Sequence, residues 1–211
     1  MVHFLIMIVL SYLLGSFPTA IVTGKILKGI DIRQHGSGNA GATNVFRVLG
    51  WKAGLFVLLV DMAKGFIATV LIYQIAIGAF SIDAVILQIV AGLAATMGHI
   101  WTIFAGFKGG KGVGTGAGMI VGLVPGAVLA GLIIFIITVS LTRYVSLGSI
   151  FASLTIPVYL FGKHFLFHRP VPVALLVLGV LVPVLIIMTH RSNISRLLKG
   201  EENKIVFKKA G

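Results

Sequence analysis

A polar, glycine-rich stretch at residues 37–47 has the side chains that could bind a phosphate group. Glycine lets the backbone adopt positive φ and approach a ligand closely, so successive N–H groups can form an anion-binding concavity. Arg47 adds a planar guanidinium that matches phosphate oxygens. Ordinary connecting loops have a similar composition, because turns favour Gly, Asn and Ser. The residues that could contact an anion here are Ser37, Gly38, Asn39, Gly41, Ala42, Thr43, Asn44 and Arg47.

A second polar segment combines lysines and glycines just before an apolar run. It resembles a nucleotide-binding phosphate loop in composition, but it lacks the Gly-x-x-x-x-Gly-Lys-Ser/Thr spacing, so nucleotide binding is disfavoured. The segment still opens a predicted helix at Val113, and the N-terminus of a helix favours an anion. Its candidate residues are Lys108, Gly109, Gly110, Lys111 and Gly112.

Two more polar segments lie in the C-terminal third of the chain. The first, at residues 143–149, places the hydroxyl of Ser146 at a predicted helix start. The second, at residues 190–196, spaces three polar side chains by three residues. If the last apolar span continues as a helix, this spacing puts His190, Asn193 and Arg196 on one face.

These four segments are rich in hydrogen-bond donors and poor in bases, so they favour binding and orienting anions over abstracting protons. Asp31 is the only carboxylate expected near them, which disfavours a Ser-His-Asp triad. Histidine suits acid–base work near neutral pH, and His190 is the candidate, although a lone interfacial histidine is more often structural. Because the chain has no cysteine and no neighbouring carboxylates except in the tail, we expect no metal and no cofactor.

The composition predicts an integral membrane protein. Apolar residues make up 58% of the 211 residues and charged residues only 10%, against about 25% charged in soluble domains. The spans leave no room for a separate soluble part, so residues 1–211 are expected to form one domain.

The formal net charge of +12 suits anionic lipid or an anionic substrate. Nucleic acid is a poor partner because the charges lie between apolar spans. A cleaved signal peptide is not expected, since residues 1–14 lack a basic start.

The apolar runs predict an all-α polytopic protein with seven transmembrane helices, some of them short. The run at residues 113–141 exceeds one span of about 20 residues, and the turn-forming pair Pro125-Gly126 interrupts it. One span there would give six and would put the basic 25–52 loop and the basic tail on opposite faces. Two spans put every glycine-rich loop on one face. Because positive residues accumulate on the cytoplasmic side, we expect seven spans with the N-terminus outside and the C-terminus inside. The other spans are expected at about residues 2–23, 53–77, 84–104, 147–161 and 173–188.

Polar and small residues inside the spans have structural interpretations. Asp61 and Lys64 are three residues apart on one helical face, and an internal ion pair is favoured over a proton or ion pathway. Small residues at a spacing of four allow close helix packing in lipid, which is favoured over a ligand role. The glycines concerned are Gly114, Gly116, Gly118 and Gly122.

The ordered motifs resemble the bacterial acyl-phosphate:glycerol-3-phosphate acyltransferase family over nearly the whole chain. The resemblance implies an inner-membrane enzyme that transfers a fatty acyl group from acyl phosphate to the 1-hydroxyl of sn-glycerol 3-phosphate. Lysophosphatidic acid and inorganic phosphate leave, in the first acylation of phospholipid synthesis. The expected partners are the two substrates, the lipid bilayer and the enzyme that makes acyl phosphate. The motifs are Ser-Gly-Asn-x-Gly-Ala-Thr-Asn-x-x-Arg from Ser37, Gly-His from Gly98, Phe-x-Gly-Gly-Lys-Gly-Val from Phe107, Ser-Leu from Ser146 and His-Arg-x-Asn-Ile-x-Arg-Leu from His190.

The resemblance also implies roles for these residues. The catalytic set, which would hold glycerol 3-phosphate, is Ser37, Arg47, Lys111, His190 and Asn193. The cradle for acyl phosphate is Gly38, Asn39, Gly41, Ala42, Thr43, Asn44, Gly109, Gly110, Gly112 and Ser146, and Arg196 is a further substrate-binding residue. Lys108 competes with Lys111 as the phosphate-binding lysine. No protein base is expected to be essential, because acyl phosphate is an activated anhydride and a substrate phosphate oxygen can take the hydroxyl proton.

Two rival functions remain open at this point. A transporter of phosphate or a phosphorylated organic anion would have ionisable residues near mid-membrane and inverted repeats. Here the polar motifs cluster at one edge, and only Asp61 and Lys64 lie deep. A non-catalytic lipid-binding protein would not need four separate polar motifs.

Overall fold

The computed structural model describes residues 1–78 and 82–205, and these residues form helices and turns without a β-strand. The basic tail predicted from His190 includes Lys208 and Lys209, which lie outside the described residues. Two compact units are present, Met1–Pro125 and Gly126–Gly211, and the expectation of a single domain stays a prediction. The helices are α1 (Val2–Ser16), α2 (Thr19–Lys28), α3 (Ala42–Leu49), α4 (Trp51–Val70), α5 (Ala84–Ile100), α6 (Val113–Leu123), α7 (Pro125–Thr142), α8 (Val145–Phe161), α9 (Val173–Thr189) and α10 (Arg191–Leu198).

Five helical segments are long and apolar enough to cross a membrane, and α9 with α10 would make a sixth. The predicted break in the run 113–141 is confirmed, because α6 ends at Leu123 and α7 begins at Pro125. The count of seven stays a prediction, since α6 has only 11 residues. The five segments are Val2–Lys28, Trp51–Ala76, Ala84–Ala105, Pro125–Thr142 and Val145–Leu166.

The first span is broken at Phe17-Pro18, which the sequence analysis did not predict. Proline has no N–H and cannot continue the hydrogen-bond ladder, so α1 ends and α2 begins beyond it. Side chains from elsewhere satisfy the carbonyl groups freed at the break. The Thr102 hydroxyl donates to the carbonyl of Ser16, and the Lys64 ammonium donates to that of Phe17 at 2.6 Å.

Glycine allows α4 and α6 to pack with their backbones in contact. A Cβ at Gly118 would collide with the carbonyl oxygen of Met62, and one at Gly65 would collide with that of Thr115. Gly114 faces the Asp61 side chain from the same helix face. The predicted packing role is therefore confirmed for this face, whereas a Cβ at Gly116 would meet open space.

A small apolar core positions the first polar loop. Ile32, Val45 and Val57 have no exposed surface, and alanines from α2, the loop and α4 pack around them. Residues Ile32–Gln34 form a 3₁₀ turn, so the chain turns sharply over this core before it enters α3.

The second unit ends in a sharp bend. The axes of α9 and α10 differ by 62°, and His190 lies at the bend. The condition that the last apolar span continues as one helix through His190 is therefore not met. Because α10 is itself helical, Asn193 and Arg196 still lie on one face.

Candidate active site

The side chain of Asn44 holds the first polar loop in shape. It is 1% exposed, and its amide nitrogen donates to the carbonyl oxygens of Ile32 at 3.0 Å and His35 at 2.9 Å. Its amide oxygen accepts the Ser37 N–H at 2.8 Å. Both amide donor directions are therefore used inside the loop, and Asn44 shapes the predicted cradle from within.

The other predicted residues of this loop lie around the start of α3. Gly38 is exposed at φ 73°, a conformation that favours glycine. Gly41 immediately precedes α3, and Arg47 lies half-buried in its last turn. The N–H groups of a first helical turn point outward and favour negative charge, so this loop has the geometry of an anion site. Ser37, Asn39, Ala42 and Thr43 are half-buried.

An ion pair ties the first loop to the second. The Arg33 guanidinium contacts the Asp31 carboxylate at 2.7 Å and also donates to the carbonyl of Ala105 at 2.9 Å. Hydrogen bonds from Arg33 lower the pKa of Asp31 from 3.8 to about 2, and Asp31 raises the pKa of Arg33. The carboxylate therefore stays charged at neutral pH and fixes the guanidinium that bridges the loops.

The second loop is anchored to the end of α5. The Gly109 N–H donates to the carbonyl of Ile100 at 3.0 Å, and the Gly110 N–H donates to that of His99 at 3.1 Å. These two N–H groups point into the protein. Both glycines allow the loop to pack closely here, because a side chain at either position would collide with its neighbours. Gly112, at φ 80°, immediately precedes α6, and this loop too runs into a helix N-terminus. Lys108 is exposed, and Lys111 is half-buried.

The two loops meet at Gly110. A Cβ there would collide with Nε2 of His99 and lie 3.1 Å from the carbonyl oxygen of Ala40. A small pocket, partly open to solvent, has a wall formed by both loops. Its lining includes Thr19, Ala40, Asp61, His99, Gly109 and Gly110.

A buried polar cluster lies behind this wall. Oδ1 of Asp61 accepts hydrogen bonds from Lys64 at 2.7 Å and from the Thr19 hydroxyl at 3.1 Å. Nδ1 of His99 lies 3.6 Å from the same oxygen, slightly beyond hydrogen-bond range. The predicted Asp61–Lys64 pair is confirmed. The expectation that Asp31 is the only carboxylate near the loops is wrong, because Asp61 lines the pocket beside Gly109 and Gly110.

This cluster also bears on the transporter alternative. Transporters often hold a coupling cation at the free carbonyls of a broken membrane helix. Here the Lys64 ammonium lies at the carbonyl of Phe17, 2.6 Å away, and contacts Asp61 as well. The Lys64 ammonium therefore occupies the position that a coupling cation would need, which disfavours the transporter alternative.

In the second unit, three predicted site residues converge on Glu202, which sequence reasoning missed. One carboxylate oxygen accepts from the Ser146 hydroxyl at 2.9 Å and from the Asn193 amide at 2.6 Å. The other accepts from Nε of Arg196 at 2.7 Å. Burial alone would raise the pKa of Glu202, but hydrogen bonds from these three donors outweigh it and lower that pKa. The feature of the sequence that could have pointed to Glu202 is its position as an acidic residue within a basic tail.

His190 is 3% exposed at the bend between α9 and α10. Its Nδ1 lies 2.8 Å from the carbonyl oxygen of Ile186. A carbonyl only accepts, so Nδ1 carries the hydrogen and the neutral ring has Nε2 as an acceptor. A tautomer fixed in this way suits orientation of a substrate hydroxyl.

The four predicted segments thus form two polar groups of residues, one within each unit. The first two segments meet at Gly110, and the last two meet at Glu202. Among residues 1–78 and 82–205, no group of three or more His, Asp or Glu side chains is arranged to hold a metal.

Comparison with known proteins gives the family. The family model described as "Glycerol-3-phosphate acyltransferase" matches residues 5–200. The chain belongs to the glycerol-3-phosphate acyltransferase family. A family member from Chlorobaculum tepidum is 48% identical, with 98% of each chain covered. Another from Chlorobium luteolum is 47% identical, with each chain covered completely. Both carry the family's name.

Two solved structures of a glycerol-3-phosphate acyltransferase share the fold. They are crystal structures of PlsY (YgiH), described as an integral membrane glycerol 3-phosphate acyltransferase, and both are 39% identical to this chain. The glycerol 3-phosphate form has a TM-score of 0.83 and covers 96% of each chain. The lysophosphatidic acid form has a TM-score of 0.81 and covers 96% of this chain and 95% of that one. The all-helical membrane architecture expected from the sequence is confirmed.

Proposed function

We propose that this family member transfers a fatty acyl group from acyl phosphate to the 1-hydroxyl of sn-glycerol 3-phosphate, with lysophosphatidic acid and inorganic phosphate as products. The observation that carries the proposal is the meeting of two glycine-rich loops at Gly110, each of which runs into a helix N-terminus. Both substrates carry phosphate, and such termini favour phosphate. The related PlsY structures, described as the glycerol 3-phosphate form and the lysophosphatidic acid form, support the same reaction.

The acyl phosphate cradle is formed by the loop residues whose side chains are small or absent. In this proposal Gly38, Gly41 and Gly112 let the backbone approach the phosphate, and the N–H groups at the starts of α3 and α6 face it. Asn44, Gly109 and Gly110 act indirectly, because their hydrogen bonds hold the loop shape. The remaining members are Asn39, Ala42, Thr43 and Ser146.

Glycerol 3-phosphate is held by charged and polar side chains. Arg47 and Lys111 neutralise its phosphate, and Ser37 adds a hydroxyl. His190 accepts a hydrogen bond from a glycerol hydroxyl through Nε2, in the tautomer fixed by Ile186. Asn193 and Arg196 are the other members of this proposed set, and Glu202 orients both of them.

The chemical step needs positioning more than proton abstraction. The glycerol oxygen attacks the acyl carbonyl carbon and forms the new ester bond, while the bond between that carbon and the phosphate oxygen breaks. The hydroxyl proton passes to a phosphate oxygen of a substrate, and inorganic phosphate leaves. Because the leaving group is already a good one, the loops contribute mainly by orienting the two anions and stabilising charge in the transition state.

The proposed topology has seven spans in the bacterial cytoplasmic membrane, with α6 as the short one. The N-terminus lies outside, and the C-terminus and the glycine-rich loops face the cytoplasm, where acyl phosphate from the enzyme that makes it arrives. The distribution of Lys and Arg supports this orientation. Labelling of intact cells tests it: a cysteine in place of exposed Lys108 should resist an impermeant thiol reagent, and a cysteine in place of exposed Lys163 should react. If only the cysteine at position 108 reacts, the topology is the reverse of the one proposed.

The donor and the binding residues are tested in purified protein. Palmitoyl phosphate should support product formation, and palmitoyl-CoA should not. Arg47→Ala and Lys111→Ala should each lower kcat/KM at least about 100-fold, since each removes a charge-assisted contact to an anion. The matched controls are Arg169→Ala and Lys163→Ala, at exposed bases outside the polar loops. Near-normal turnover in both test variants would overturn the assignment.

A further inference from the structure

His99 connects the buried ion cluster to both phosphate-binding loops. Its Nδ1 faces Asp61 at 3.6 Å, and its Nε2 lies against Gly110. Its backbone carbonyl accepts the Gly110 N–H at 3.1 Å. The same residue therefore contacts the second loop twice, through the ring and through the main chain. The Ala40 carbonyl of the first loop also lies close to Gly110, 3.1 Å from the position that a Cβ would take.

The ring is held from behind by groups on other helices. Asp61 and Lys64 come from α4, and Thr19 from the start of α2, beyond the helix break. Asp61 and Lys64 are each 3% exposed, and His99 is 8% exposed. Burying charges costs free energy that an ion pair rarely recovers, so such a cluster is weak evidence for stability. We therefore look for the role of this cluster in the position that it gives to the His99 ring.

We propose that His99 is a positioning residue, and that the end of its ring nearest Gly110 sets the spacing between the two phosphate-binding loops. This inference rests on the proposed function and adds a residue that does not itself touch substrate. The ring and the Ala40 carbonyl both lie beside Gly110, where no side chain separates them, so a shift of the ring would move one loop relative to the other. A displacement of about 1 Å at a reacting centre can cost about 100-fold in rate.

Two amide substitutions separate the two ends of the ring. Asparagine places its side-chain nitrogen near the position of Nδ1, so His99→Asn keeps the group that faces Asp61. Glutamine places its nitrogen near the position of Nε2, so His99→Gln keeps the group that packs on Gly110. We expect His99→Gln to keep KM for both phosphate substrates within about threefold of wild type. His99→Asn and His99→Ala should raise KM for at least one of them by about tenfold or more, with a smaller change in kcat.

The opposite order of the amide variants would overturn the proposal. If His99→Asn resembles wild type and His99→Gln does not, then the contact with Asp61 matters and the loop contact does not. If all three variants keep wild-type KM values and lose only thermal stability, His99 is structural only. Each variant is compared as monodisperse protein in detergent, so a poorly folded sample is recognised before its kinetics are measured.

A double-mutant cycle tests the contact itself. Gly110→Ala should raise KM strongly, because its Cβ would collide with the His99 ring. In the His99→Ala background the same substitution should raise KM much less, since the ring is gone. Gly116→Ala is the matched control, because a Cβ there meets open space. Additive effects of the two substitutions would contradict the proposed contact.

Hydrogen exchange provides a measurement that does not depend on turnover. The Gly109 and Gly110 amides should be protected in wild type and His99→Gln, and should exchange faster in His99→Asn and His99→Ala. If wild type forms no product, the proposed function fails, and this exchange pattern still decides the positioning inference. Equal protection in all four proteins would overturn the inference while leaving the proposed function intact.

Discussion

Asn193 donates a 2.6 Å hydrogen bond to the carboxylate of Glu202, through the same oxygen that accepts from Ser146 at 2.9 Å. Arg196 contacts the other oxygen at 2.7 Å. A single buried carboxylate therefore orders three of the residues predicted to bind substrate. Glu202 itself is only 7% exposed, so water does not replace these contacts easily.

Replacing Glu202 with glutamine should destabilise the protein and reduce turnover. The amide nitrogen that replaces one carboxylate oxygen cannot accept from its donors, and loss of a charge-assisted hydrogen bond costs about 2 kcal/mol. Thermal unfolding in detergent measures the first effect, and acyl transfer measures the second. The control is Glu201→Gln at the exposed neighbour. Equal shifts in both variants would show that the bonds to Glu202 contribute nothing specific.

The same pair of proteins should respond differently to acid. The pKa of Glu202 is lower in the folded protein than its ordinary 4.5, so its charged form stabilises the fold above that pH. This stabilisation is lost as the pH falls through the folded-state pKa. The difference in unfolding free energy between wild type and Glu202→Gln should therefore be largest above pH 4.5 and shrink below it. A difference that grows in acid would contradict the pKa direction.

Asp31→Asn should raise KM with little loss of stability. The substitution releases the Arg33 guanidinium, which also holds the Ala105 carbonyl of the second loop. Partly exposed ion pairs contribute up to about 1 kcal/mol, so the kinetic effect should exceed the thermal one. Any stability that Asp31 does contribute should vanish as the pH falls from 3.8 towards 2. Steady-state kinetics beside Asp83→Asn, at an exposed aspartate, measure the effect; identical KM values would refute the bridging role.

Gly118→Ala should loosen the packing of α4 on α6. The added methyl group would collide with the Met62 carbonyl oxygen, and overpacking of this kind costs about 1–3 kcal/mol. Gly116→Ala, on the same helix, adds a methyl group in open space and should leave the melting temperature unchanged or slightly higher. Thermal unfolding of the two alanine variants in the same detergent compares them directly. A matching drop in both would contradict the packing role assigned to Gly118.

Local patterns predicted much of the fold. The start of α6 at Val113, the break before Pro125 and the Asp61–Lys64 pair all follow from neighbours within a few residues along the chain. Hydropathy predicts where the spans lie, and the three-residue spacing predicts the Asp61–Lys64 ion pair. Both predictions need only the geometry of a helix.

Long-range partners account for what the sequence did not reveal. The break at Phe17 is stabilised by Lys64, 47 residues away, and Glu202 meets Ser146 across 56 residues. Asn44 looked like an outward-facing ligand, yet its side chain satisfies carbonyls inside its own loop. Residue type indicates that a polar group needs a partner, but only the folded chain determines whether that partner is substrate, backbone or another side chain.

Phosphate release from palmitoyl phosphate, measured with and without glycerol 3-phosphate, tests the central claim most directly. We expect purified protein to release inorganic phosphate only when glycerol 3-phosphate is present, with one lysophosphatidic acid formed for each phosphate. Release that ignores the acceptor, or uptake of glycerol 3-phosphate into vesicles without any product, would contradict acyl transfer at the glycine-rich loops.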